Sequence, residues 1–102
     1  MTGQRPQLWT IQRTSKPAGT RSAVLSGVSC PAKATCTAVG ERNLLTLAER
    51  WNGSSWTIPR TPNPSGVQTS QLLGVSCPST TNCIAVGYSR TGAISRVLAE
   101  RY

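Results

Sequence analysis

Gly27-Val28-Ser29-Cys30-Pro31 returns as Gly74-Val75-Ser76-Cys77-Pro78, an offset of 47 residues that holds well beyond these five positions. The same offset lays Trp9-Thr10-Ile11 on Trp56-Thr57-Ile58, Leu25 on Leu72, Cys36 on Cys83, and Ala38-Val39-Gly40 on Ala85-Val86-Gly87. Past Gly40 the register slips by four: Leu47-Ala48-Glu49-Arg50-Trp51 matches Leu98-Ala99-Glu100-Arg101-Tyr102, which predicts a longer loop in the second copy. A period of this size marks architectures whose units stack to bury a shared core.

Inside one unit, short β-prone runs alternate with turn residues and no helical period appears. Strands are expected at 24–30, 36–41, 46–51 and 55–61, here called A, B, C and D. Asn52-Gly53, between two Trp-bearing strands, is a strong hairpin signal, and Pro62-Asn63-Pro64-Ser65-Gly66 breaks the sheet before the next unit. Four antiparallel strands in about 40 to 50 residues is the pattern of a β-propeller blade, so the expected fold class is all-β.

The elements Val-Ser-Cys-Pro-x4-Cys-x-Ala-Val-Gly and Leu-Ala-Glu-Arg-Trp-Asn-Gly-Ser-Ser-Trp-Thr-Ile resemble the tandem repeats of secreted or surface actinobacterial β-propeller proteins, which are similar to kelch blades. The resemblance covers nearly the whole chain. It implies an architecture and brings no functional residue with it.

Strand order predicts how the repeat is cut. Residues 1–102 read as a single domain with a D strand at 8–14, a complete blade over 24–61, and strands A to C of a second blade over 71–102. The last D strand is missing after Tyr102, and the N-terminal D strand of a neighbouring subunit is expected to complete that split blade. The chain itself is then its own partner, in a head-to-tail ring whose blade number is even. A trimer with six blades is favoured, by architectural analogy with small two-blade lectins, and a tetramer with eight is next. The competing reading is a fragment of a longer propeller.

Each unit pairs its own cysteines across one hairpin, Cys30 with Cys36 and Cys77 with Cys83. Facing Cα atoms of adjacent antiparallel strands lie at about 4.5 to 5.5 Å, within reach of a disulfide. Two disulfides would suggest an extracellular or cell-surface location, although no signal peptide opens this chain. Buried reduced thiols are the alternative. With no His and the cysteine pairs on different blades, no metal site is expected.

Function is constrained more by what is missing. Eleven Lys and Arg against three acids give a net charge of +8, and the chain contains neither His nor Asp. Acid–base or hydrolytic chemistry usually needs such groups, so no enzyme and no cofactor is expected. Glu49, Trp51, Glu100 and Arg101 recur at one strand position or beside it, and an aromatic ring with Arg and Glu makes a plausible glycan-binding set. Architectural roles, in which Glu pairs between strands and Trp covers a hairpin, weigh against that reading. The rim carrying the B–C and D–A loops varies between units, which singles out Arg42, Tyr88 and Arg90 as candidate ligand contacts. The expected function is a non-catalytic, multivalent carbohydrate-binding ring; the alternative is a structural or protein-interaction scaffold without a small ligand. Dispersed Arg with no reader motif predicts at most non-specific contact with nucleic acid. No apolar run is long enough to insert into a membrane.

Overall fold

The computed structural model describes Thr14 and residues 19–102. The expected D strand at 8–14, with Trp9, therefore lies outside the described residues except for Thr14. Seven strands follow: β1 (Ala23–Ala32), β2 (Thr35–Arg42), β3 (Leu45–Trp51), β4 (Trp56–Thr57), β5 (Thr69–Ser79), β6 (Asn82–Thr91) and β7 (Ile94–Arg101). They form two antiparallel meanders, a four-stranded sheet β1-β2-β3-β4 and a three-stranded sheet β5-β6-β7. The fold is all-β, and there is no helix among the described residues.

The two sheets repeat in backbone detail as well as in sequence. In the first, Leu25 pairs with Gly40 and Gly27 with Val39, so Ser26 is an extra residue that bulges β1. In the second, Leu72 pairs with Gly87 and Gly74 with Val86, which leaves Leu73 in the same role. A bulge bends its strand onto the partner, and here the backbones close so far that a side chain has no room. A Cβ at Gly40 would lie 1.8 Å from the Val24 carbonyl oxygen, and one at Gly87 1.9 Å from that of Gln71. The glycine of each Ala-Val-Gly triplet is therefore a packing requirement.

A second irregularity accommodates the cysteines. Ser29 pairs with Thr37 and Ala32 with Thr35, so Cys30 and Pro31 together face Cys36. Pro31, which has no N–H to give to a ladder, sits in this bulge, and Pro78 sits at the matching place in the second sheet. Both disulfides are formed, Cys30–Cys36 and Cys77–Cys83, each with Cα atoms 4.1 Å apart. Such bonds are compatible with an extracellular location.

Two expectations about loops change. The four added residues of the second unit do not enlarge a loop. They extend the β6–β7 hairpin by two pairs, Arg90 with Ser95 and Thr91 with Ile94, and the turn stays short at Gly92-Ala93. Two residues per arm preserve the alternation of faces, so the insertion leaves the packed surface unaltered. Strand D also shortens: only Trp56 and Thr57 pair with β3, because Pro59 cannot continue the ladder. Side chains then replace the missing backbone bonds, the Thr61 hydroxyl donating to the Thr46 carbonyl at 3.1 Å and Asn63 Oδ1 accepting from Thr46 N at 3.1 Å.

The sheets pack face to face through β5, which lies against β1, β2 and β3. Val39 and Ala48 of the first sheet meet Leu72 and Ala85 of the second, with Val75 and Leu98 at the margin. Polar bonds frame this core. Cys77 N donates to Ser29 Oγ at 3.1 Å, Arg50 Nη2 to the Thr80 carbonyl at 2.8 Å, and Ser70 N to the Leu44 carbonyl at 2.8 Å. At the innermost strands a Cβ on Gly27 would be 3.0 Å from the Leu73 carbonyl oxygen, so the sheets touch backbone to backbone there.

Gly40→Ala and Gly87→Ala are each expected to lower unfolding stability by about 3 kcal/mol, since backbone must move to admit the methyl group; denaturant titration checks this. Replacing both cysteines of one pair by Ser should cost about 2 kcal/mol on the loop-closure argument. The oxidised protein should gain alkylation mass only after reduction.

Candidate functional site

The two ends of the sandwich differ as the repeat analysis anticipates. At one end the β1–β2 turn and the β3–β4 loop meet, Gly53 with φ of 99° approaching Ala34. Asn52 Oδ1 accepts from Ser54 N and Ser55 N, both at 2.9 Å, and closes that loop. At the other end the Asn43-Leu44 turn has φ of 50° and 73° and is fastened to the preceding segment. Asn43 Oδ1 accepts from Arg21 N at 2.8 Å, and Asn43 Nδ2 donates to the Gly19 carbonyl at 3.1 Å.

Arg42, at the end of β2 on this variable end, lines a cleft of about 250 Å³ with Leu45, Thr46, Ile58, Arg60 and Asn63. The floor is apolar, from Leu45, Leu47, Ile58 and Pro59. Asn63 is committed to the fold, accepting from Thr46 Oγ1 at 2.9 Å and Ser70 Oγ at 2.5 Å, which holds the 59–63 segment in place as a wall. Arg42 is half-buried and Arg60 exposed, so the second guanidinium is free to follow a ligand. No acidic residue lines this cleft. Tyr88 and Arg90 do not line it: the Tyr88 hydroxyl accepts from Gln71 Nε2 at 2.8 Å across the β5–β6 ladder, and Arg90 Nε donates to Ser95 Oγ at 3.4 Å.

The recurring strand positions divide between packing and a second cleft. Glu49 is only 3% exposed, and Trp51 packs tilted against Trp56 with ring centroids 5.6 Å apart, the cross-strand pair that covers the hairpin. Neither lines either cleft. Glu100 and Arg101 both border a cleft of about 60 Å³ beside the sheet contact, Glu100 paired with buried Ala85 and Arg101 with exposed Ile84 on the opposite face, and the cleft also meets Arg50, Arg60 and Tyr102. A space of that size holds about two waters and excludes a sugar ring. Arg50 Cζ lies 4.0 Å from the centroid of Tyr102, a cation–π contact that takes up one face of the ring.

Both oxygens of Glu100 are buried and neither meets a hydrogen-bond partner among the described residues. Burial holds its carboxyl above the usual carboxylate range. Arg60, inside the strand expected at 55–61, and Tyr102, the counterpart of Trp51, were not singled out as site residues because each read as part of the repeated framework. Arg50 was visible only as the counterpart of Arg101. Among the described residues no group of three or more His, Cys, Asp or Glu could hold a metal ion.

A carboxyl with a raised pKa in the folded state binds its proton more tightly there than in the unfolded chain. Stability is then fully present below the ordinary carboxylate range and falls as pH rises through the raised value. Glu100→Gln should raise the urea midpoint at pH 7 and flatten its decline between acidic and neutral pH. A variant that loses stability at pH 7 would contradict this.

No protein-family model matches the chain, and neither a curated protein sequence nor a solved structure matches it.

Proposed function

We propose that the chain is a two-blade unit of a β-propeller and acts as a non-catalytic, lectin-like module that binds acidic carbohydrate at the Arg42–Arg60 cleft. One observation carries the reading: about 250 Å³ of space at the variable end is lined by two arginines and no acid. A single sugar residue fits such a volume. Guanidinium groups donate in planar pairs to carboxylate or sulfate oxygens, while the Leu45, Ile58 and Pro59 surface suits the apolar face of a sugar ring. A net charge of +8 would draw an anionic polymer toward the molecule.

Repetition would supply strength. In the ring reading, each copy completes its neighbour's split blade, three or four chains close the circle, and one cleft per chain gives avidity from individually weak sites. A scaffold without a small ligand is the second reading. It is favoured by Glu49 and the Trp51–Trp56 pair being used in packing.

Titration calorimetry with an oligogalacturonate should register binding that a neutral galactan of equal length does not reproduce. Arg42→Ala and Arg60→Ala should each weaken it about tenfold, as expected for losing a charged hydrogen bond. Equal affinity for both polymers, or none for either, would leave the scaffold reading in its place.

A further inference from the structure

The first sheet shows what this repeat does with one of its faces. Val39 and Ala48 lie beneath β5, Arg50 reaches over to the Thr80 carbonyl, and Gly27 admits the Leu73-Gly74 backbone. The counterparts one unit later are Val86, Ala99, Arg101 and Gly74. In the second sheet they face outward: Val86 is 48% exposed, Ala99 and Arg101 are exposed, and among the described residues nothing lies within 4 Å of a Cβ built on Gly74. Gly74 has no positive φ, so among the described residues neither space nor backbone calls for a glycine there. A backbone arriving from outside does.

The element that would arrive is also present and uncovered. The residues with which β5 meets the first sheet are Leu72, Val75 and Cys77. Their counterparts on β1 are Leu25, Val28 and Cys30, of which Leu25 is 39% and Val28 61% exposed. Each chain thus displays the receiving face and, on β1, the arriving strand of a contact that it already makes once internally, while Ala38 and Glu49, the counterparts of Ala85 and Glu100, are buried in the single chain.

We infer that β1 of a second copy docks on the outer face of β5-β6-β7, repeating between chains the contact β5 makes within one. Leu25 of the second copy covers Val86 and Ala99, and its bulge at Ser26 enters at Gly74. Arg101 donates to the Lys33 carbonyl of the second copy as Arg50 donates to that of Thr80, and Cys30 N of the second copy finds Ser76 Oγ. The contact is heterologous, since the surfaces that meet are different, and so it propagates from chain to chain until it closes. The inference rests on reading the two sheets as successive blades, and it adds which face and which strand join the copies.

Sedimentation equilibrium on the whole chain and three variants tests it, with circular dichroism to confirm that each variant folds. The unaltered chain should associate. Gly74→Val, which fills open space in a single chain, and Val86→Glu should each raise the dissociation constant at least about tenfold, the effect of losing a central contact. Ile94→Glu, on the hairpin extension that has no counterpart in the first sheet, should leave association unchanged. Association indifferent to Gly74→Val and Val86→Glu would overturn this face while leaving the blade reading standing. A monomeric unaltered chain would overturn both.

Discussion

Strand β5 has to satisfy two sheets at once. One edge of its backbone pairs with β6, Ser70 N and Cys77 N on the other donate to the first sheet, and Leu72, Val75 and Cys77 press on that sheet, Leu72 being left 1% exposed. Burying a leucine so fully is worth about 2 to 3 kcal/mol, a large fraction of what holds a small domain together. The bulge at Leu73 gives β5 the bend it needs, and Gly27 and Gly87 clear backbone on either side of it. Losing that fit would separate the two sheets.

Much of this was legible because the chain states it twice. The 47-residue offset located the hairpins, and the cysteine spacing located both disulfides, since a short antiparallel hairpin brings facing residues within bonding reach. Two features were not legible. The four extra residues read as a loop because turn-forming Gly92 and polar Ser89 and Arg90 suggested one, yet paired extension satisfies more backbone groups than a loop would. Strand D read as running to residue 61 because Ile58 and Thr61 favour strands, but Pro59 ends the ladder and hands Thr46 over to the side chains of Thr61 and Asn63.

That exchange of backbone bonds for side-chain bonds also makes the candidate site. Where β4 stops, the 59–63 segment stands away from β3, held by Asn63, and the gap becomes the cleft that Arg42 and Arg60 line. Sequence singled out Arg42 from the variability of its rim, but Arg60 read as one more residue of the strand expected at 55–61 and was not singled out. The repeated Glu, Arg and Trp positions stood out because the framework of the repeat uses them. Trp51 covers its hairpin by packing on Trp56, Tyr102 instead stacks under Arg50, and Arg50 clamps the first sheet to the second.

The central claim is that one sheet-on-sheet contact, present once in the chain, is the repeating contact of a closed assembly. Electron microscopy of the assembled protein measures this most directly. The account predicts a ring with an even number of blades, six or eight, in which Gly27 of each chain faces Gly74 of the one before it. Single chains, or a twofold dimer joining β5-β6-β7 to its own copy, would contradict it.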